Sequence, residues 1–203
     1  MEGYNMTNAT LTKQQVIISA TAFNDLILGA SVAADSSRDA MARLNNIYLS
    51  ATAGKLTAAA TDRYRLAAGT IQLDGGELSE SAILLADVKR ILALLKPYIK
   101  FNHLVTIDKD GTTLTLTLDG NTLVIHTLDY QLPPYSHMVS DQFNPIPSIS
   151  LNLSLLASLD KIPHDIKQPT IIGFTGDNKP IQIRMSHDLI SWDILLMPMR
   201  TVK

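Results

Sequence analysis

Residues 82–127 read AILLADVKRILALLKPYIKFNHLVTIDKDGTTLTLTLDGNTLVIHT, and the order of signals in that stretch decides the fold. Ala82–Leu85 is a short apolar run of strand length. Val88, Ile91, Leu92 and Leu95 follow at i, i+3, i+4 and i+7, the spacing of one apolar helix face. Asp87 stands where a helix N-cap is expected, and Pro97 stops or kinks the helix because it lacks an N–H and clashes with the preceding turn. Leu104–Asp108, Thr112–Leu118 and Thr122–Thr127 then read as strands. Asp110-Gly111 and Asp119-Gly120-Asn121 separate them, and such pairs supply the left-handed residues of tight hairpins. The unit is therefore strand, helix, then antiparallel strands.

The same order occurs before and after this stretch, and an internal repeat sets the architecture. Upstream, Gln15 to Ser19 alternates as a strand. Phe23, Leu26, Ile27, Ala30 and Ala34 share one helix face, Asp35-Ser36-Ser37-Arg38-Asp39 forms a polar loop, and strands follow at Ile47–Ser50, Leu56–Ala60 and Leu66–Leu73. Asp74-Gly75-Gly76-Glu77 breaks the chain. Downstream, Ser148–Leu151 reads as a strand and Leu153–Leu159 as a brief helix capped by Asn152. Thr170–Thr175, Ile181–Met185 and Ser191–Met197 complete the third unit. Tight hairpins force antiparallel pairing, so the fold class is α+β, with helices on one face of the sheets.

Tyr130 to Pro147 holds Pro133, Pro134, Pro145 and Pro147 and reads as an extended linker. The chain thus divides into a two-module domain over residues 1–130, a linker over 131–147 and a shortened single-module domain over 148–203. A 46% hydrophobic, 18% charged composition can bury a core. There is no cysteine, so no disulfide frame or thiolate chemistry is available. No apolar run reaches membrane-spanning length and Met1 to Lys13 lacks a signal-peptide core, which makes the cytoplasm the default compartment. The net charge of −2 argues against an ordinary groove-reading DNA binder, yet it permits a ring with basic charge concentrated on its inner surface.

Two short motifs carry the functional reading: Thr61-Asp62-Arg63-Tyr64-Arg65-Leu66-Ala67, and Leu195-Leu196-Met197-Pro198-Met199-Arg200. With Leu44-Asn45 and Leu132-Pro133-Pro134-Tyr135, their order resembles the bacterial replicative sliding clamp, the beta subunit of DNA polymerase III. The family has Thr-Asp, a short variable stretch, then Arg-Leu-Ala; it also has a Phe-Pro-Asp-Tyr stretch leaving its middle domain. Its domains are paired βαβββ modules, with antiparallel sheets outside and helices inside. The chain is similar to the middle domain and part of the last, a reduced variant without the N-terminal domain.

The resemblance implies a scaffold rather than an enzyme, with no cofactor and no metal. Carried over residue by residue, a peptide-binding groove would have walls at Leu44, Thr61, Tyr64, Leu66, Pro133, Met138, Pro180, Leu195 and Met197. Arg65, His137 and Arg200 would form its rim, with Pro198 and Met199 beside it. Leu and Phe anchors of extended peptides gain most by leaving water in such a slot, and methionine adapts to several partners. Arg63 replaces a small residue found at that position in some members, so it narrows the groove or adds charge. Taken singly, Leu44, Leu66 and Leu195 also read as plain core and Met-Pro-Met as a strand end; together they read as one groove.

Lys89, Arg90 and Lys96 lie off the apolar face of the second helix, with Lys100 just beyond. They are the expected contacts to double-stranded DNA, because a sliding protein meets phosphates without reading bases. A solvated helix face explains them equally well. Arg38, Arg43 and Lys161 are weaker candidates. The implied partners are DNA, a polymerase and a clamp loader, the last two through short Leu- and Phe-containing peptides, and further copies of the chain. The twelve modules of the family's ring would take four copies of three modules, so a homotetramer is favoured and a dimer competes. The rival reading keeps the groove but not the ring: an adaptor or decoy for clamp-binding proteins.

Signals for chemistry are poor. His103, His126, His137, His164 and His187 are scattered without metal-ligand spacing. Asp108-Lys109-Asp110-Gly111 starts like a calcium loop but lacks the later ligands and reads as a hairpin turn. Ser158-Leu159-Asp160-Lys161 fits Ser-x-x-Lys without its companion motifs. Trp192 reads as packing in a strand.

Overall fold

The computed structural model describes residues 14–199 apart from Arg38, Pro145, Pro147, Ser148 and Asp177. Strand β1 (Gln14–Ser19) runs directly into helix α1 (Ala20–Ser31), whose N-terminus is capped by the Ser19 hydroxyl accepting the Ala22 N–H at 3.1 Å. β2 (Asn46–Thr52), β3 (Lys55–Thr61) and β4 (Arg65–Gln72) complete the first module. β5 (Leu78–Leu84), α2 (Leu85–Leu95), β6 (Leu104–Asp110), β7 (Thr113–Leu118) and β8 (Asn121–His126) form the second, and α3 (Leu153–Ser158), β9 (Ile171–Gly173), β10 (Ile181–His187) and β11 (Ile190–Leu196) the third. The α+β expectation is met, with every strand pair antiparallel.

The first two modules exchange their opening strands. β1 pairs with β6 in the sheet β1-β6-β7-β8, and β5 pairs with β2 in the sheet β5-β2-β3-β4-β11-β10-β9. The turn residues explain the hairpins between them. Ala53 and Gly54 join β2 to β3, and Asp119 and Gly120 join β7 to β8, all four at positive φ, as two-residue hairpin turns of this hand require.

Two local expectations are corrected. Asp87 is not the cap of α2: the helix starts at Leu85 straight out of β5, with no side-chain cap. Asp87 lies in its first turn, where a carboxylate meets the positive end of the helix dipole, and pairs with Arg90 at 2.7 Å. The strand expected at Ser148–Leu151 is absent over 149–151, and Ser148 lies outside the described residues. Ile149 and Leu151 pack against the core instead, and the Ser150 carbonyl accepts the Met199 N–H at 2.8 Å. The segment after residue 130, read from sequence as an extended linker, makes specific contacts. The Glu80 carboxylate accepts the Leu132 N–H at 2.7 Å, Gln182 Oε1 accepts the Ser140 N–H at 2.9 Å, and Arg184 holds Asp141 at 2.8 Å.

β11 adds to the outer edge of β4 over seven residue pairs, from Ile190 opposite Ile71 to Leu196 opposite Arg65. Alternation then divides the side chains. Ala67, Ile71, Trp192, Ile194 and Leu196 join the main core with the buried residues of α1 and α2. Leu66, Ala68, Ala59 and Leu195 point to the other face, where Leu132, Tyr135 and Met138 cover them. Both faces of this part of the sheet are therefore buried. Trp192 is packing, as expected, and lies against the backbone of Gly29 and Gly69.

Candidate peptide-binding site

The hairpin between β3 and β4 is built by its polar residues. Asp62 Oδ1 accepts the N–H groups of Tyr64 at 3.0 Å and Arg65 at 2.9 Å, and Asp62 Oδ2 accepts the Arg65 Nε–H at 3.0 Å. Thr61 donates its hydroxyl to the Arg65 carbonyl at 2.8 Å. This Asx-turn chemistry holds Arg63 in the left-handed region at φ 78° and turns Leu66 into the sheet. At the other end of the chain, the Met197 N–H donates to the Tyr64 carbonyl at 2.8 Å, and Leu195 pairs directly with Leu66. Two segments about 130 positions apart in sequence thus share one strand seam.

Over that seam, on the sheet face opposite the helices, lies a cavity of about 420 Å³. Leu44, Thr61, Arg65, Leu66, Pro133, Met138, Pro180, Leu195 and Met197 line it, nine of the positions singled out from sequence. Tyr64, His137, Pro198 and Met199 do not. Tyr64 is thrown outward at the tip of the turn, 58% exposed, with the Arg63 guanidinium 5.8 Å from its ring centre. Arg200 lies outside the described residues. Arg65 is not a free rim charge: it is held by Asp62 and by the Ser158 hydroxyl.

Arg43, Tyr48, Gln131, Tyr135 and Arg63 also line the cavity, none of the first four having been singled out as a groove residue, and Arg43 only as a weaker DNA contact. Tyr48 was legible in principle. Ile47, Tyr48 and Leu49 are apolar at consecutive positions, which marks a strand covered on both faces. Its hydroxyl donates to the Arg43 carbonyl at 2.8 Å, fixing the rim there. Burial pushes the phenols of Tyr48 and Tyr135 above the usual tyrosine range, so both walls are neutral and apolar near neutral pH. A concave, mainly apolar lining with a few fixed polar groups suits an apolar anchor held by a polar rim.

No protein-family model matches the chain, and no curated protein matches it. Solved structures do. The DNA polymerase III beta subunit of Thermotoga maritima superposes with a TM-score of 0.77 at 15% identity, over 93% of this chain and 66% of that one. The corresponding beta chain of Streptococcus pneumoniae gives 0.76 at 14% identity, over 98% and 68%. A DNA polymerase sliding clamp from Pseudomonas aeruginosa, solved with a ligand, gives 0.73 at 15% identity, over 93% and 66%.

The chain has the sliding-clamp fold.

It spans about two thirds of the length of these clamp structures. On the helix side of the fold, Lys89, Arg90, Lys96 and Lys100 are all exposed. They are not equally available: Arg90 is paired with Asp87, and Lys100 lies 5.7 Å from the Phe101 ring centre. α1 carries no lysine or arginine, and Asp25 is its only charge. Of the weaker DNA candidates, Arg43 lines the cavity on the opposite face, Lys161 is exposed after α3, and Arg38 lies outside the described residues.

Among the described residues no group of three or more His, Asp and Glu is placed to hold a metal ion. The Ser158 hydroxyl accepts from Arg65 and donates to the Leu155 carbonyl, which leaves no poised Ser–Lys pair. Among the described residues no helix is long and apolar enough to cross a membrane.

Proposed function

We propose that this chain is a DNA sliding clamp or clamp-like processivity factor, non-enzymatic and without a cofactor. In this reading it tethers a polymerase to double-stranded DNA through a hydrophobic peptide-binding groove. The supporting observation is the shared seam: Leu66 beside Leu195, with Met197 bonded to the backbone of Tyr64, under an apolar cavity. A bare apolar slot of this kind gains by taking an apolar side chain out of water. The polymerase and the loader reach it through short peptides with Leu or Phe anchors, and tethering raises the local concentration of polymerase at the primer end.

Encirclement belongs to the same reading, with copies of the chain closing a ring, a tetramer favoured and a dimer possible. So do the division at residues 131–147, a cytoplasmic location, and phosphate contact through Lys89, Arg90, Lys96 and Lys100. Loading onto nicked circular DNA, followed by linearisation, tests it. Retention on the circle with loss from the linear form is the expected result. Peptide binding without any retention would favour the adaptor or decoy, and light scattering of the free protein reads the copy number.

A further inference from the structure

We infer that the Phe101 ring is a stacking platform for an unpaired base of single-stranded DNA, with Lys96 and Lys100 meeting the phosphates beside it. This rests on the reading of α2 as the DNA-facing helix.

Phe101 ends the 3-10 turn Ile99–Phe101 that follows α2. It is 71% exposed, more than any other Phe, Tyr or Trp among the described residues. Exposure alone would mean little, but the ring stands among cations. Lys100 Nζ lies 5.7 Å from its centre. Lys89 on α2 and Lys96 at its C-cap are seven residues apart, hence on one side of the helix, and both are exposed. Neither makes an ion pair with a described residue. Asp87 and Asp119 are engaged, the first by Arg90 and the second by His103 at 2.7 Å. A row of cations ending on an open aromatic ring suits a single strand: phosphates follow the charge and a base lies on the ring. An apolar protein anchor would gain nothing from the lysines.

The turn that carries the ring is fixed on several sides. The Thr21 hydroxyl donates to the Ile99 carbonyl at 2.9 Å and the Ala20 N–H to the His103 carbonyl at 2.7 Å, which ties the turn to the start of α1. Asn102 closes it in the left-handed region at φ 51°, with its N–H on the Ile99 carbonyl at 3.1 Å. From β8, Asn121 donates to the Tyr98 hydroxyl at 2.6 Å. The His103 ring stands edge-on to Tyr98 and Phe101, with ring centres 5.4 and 6.2 Å away. A ring presented from so fixed a turn loses little freedom when a base covers it. Bases inside a duplex are stacked on one another and offer no free face. The platform therefore takes a single strand, and takes any sequence, because every base has a π face. In the clamp reading the turn lies beyond the C-terminal end of α2, where a single strand leaving the duplex would reach it.

The test uses the whole chain and two fluorescein-labelled probes, a single strand of about 15 thymidines and a duplex of about 15 base pairs, read by fluorescence polarisation at roughly 0.05 M salt. Phe101→Ala is expected to weaken the single strand about tenfold and the duplex by less than about twofold. Phe101→Trp should restore single-strand binding. Its indole fluorescence should be quenched by unlabelled oligothymidylate, while the parent, whose single tryptophan Trp192 is buried, should show no quenching. No single-strand binding by the parent, no loss in Phe101→Ala, equal loss on both probes, or an unquenched Phe101→Trp overturns the inference. So does a changed copy number of Phe101→Ala in light scattering, which would assign the ring to contact between copies. In each of these cases, retention of the parent on nicked circular DNA leaves the clamp reading standing. A parent that binds neither probe and is not retained on the circle removes both.

Discussion

Replacing Gly29 by alanine puts the packing of the third module to a test of sign. Gly29 lies in the last turn of α1, where the change would ordinarily stabilise the helix by about 0.5–1 kcal/mol. Here the new methyl would be driven into the edge of the Trp192 ring, with Pro163 Cδ at 3.1 Å on another side. The ring cannot back away. A Cβ built on Gly69 would come within 2.6 Å of its Cζ3, so the indole is gripped between α1 and β4, and it is 1% exposed. Overpacking of this kind costs about 1–3 kcal/mol, which outweighs the helix gain. The expected net loss is about 1–2 kcal/mol, or about 3–6 °C in Tm for a domain of this size. Calorimetry or urea unfolding followed by circular dichroism reads it. A double-mutant cycle with Trp192→Leu sharpens the argument: that change alone costs about 2–4 kcal/mol. It also makes room for the Gly29→Ala methyl, giving a coupling of about 1 kcal/mol in the favourable direction. A Gly29→Ala protein as stable as the parent, or more stable, would refute the docking of β11 and its tryptophan between α1 and β4.

Met197 is 41% exposed at the cavity, so Met197→Ser should lower the affinity of a Leu/Phe peptide about tenfold in polarisation assays, while Tm moves by less than about 1 °C. Asp62→Ala removes the acceptor of two backbone N–H groups and the partner of Arg65. It should cost about 1–2 kcal/mol in urea unfolding, and a protein of parental stability would show that the turn is held by other means. Reversing Lys89, Arg90 and Lys96 to Glu should shorten retention on circular DNA and reduce polymerase processivity without loss of Tm; unchanged processivity would remove α2 as the DNA-contacting helix. Burial raises the Tyr135 phenol above the usual value near 10, with Asp193 and Glu80 adding to it, and Tyr48 shifts the same way. A folded value above the unfolded one gives stability that is complete below pH about 10 and lost as pH rises towards the folded value. Phenolate absorbance should therefore show late-titrating tyrosines, and Tyr135→Phe should reduce the alkaline loss of stability.

The fold was legible where local chemistry is strict. Gly54 and Asp119-Gly120 adopt the positive φ values that their residue types tolerate best, while Ala53 takes a positive φ that its residue type disfavours, and the stripe of Val88, Ile91 and Leu95 is buried as its spacing requires. The exchange of β1 and β5 between modules was not legible, because alternation within a strand says which face is buried and nothing about which strand lies alongside. Ser148–Leu151 has the composition of a strand, yet Ile149 to Leu151 lie where no strand pairs with them. At the site, Leu66 and Leu195 were readable because both lie in short motifs. Arg43 and Gln131 carry no pattern; they come to the cavity only through the path of the backbone. Tyr64 and His137 do not line the cavity, because Tyr64 stands at a turn tip and His137 in a single-turn 3-10 segment, Ser136–Met138, from which Met138 does line it.

The slot is a composite, and this constrains how it can work. Its floor needs β4 from the first module and β11 from the third; one wall needs the segment of Leu132, Tyr135 and Met138, which is tied down at Glu80 in β5 and Gln182 in β10. No module holds the site alone. If the third module were to part from β4, Leu66 and Leu195 would separate, and the cavity would vanish before its residues unfolded. Apparent peptide affinity is then scaled by the fraction of molecules with the seam closed. The backbone pairing of seven residues and the buried Trp192 favour the closed seam, so a peptide would spend little binding energy on assembling the slot. The same linkage runs in reverse. A peptide seated across both strands binds only the closed seam, so it stabilises the attachment of the third module by mass action. In the proposed reading, peptide binding at this site and docking of the third module would be one equilibrium, because Leu66 and Leu195 each form half of the floor.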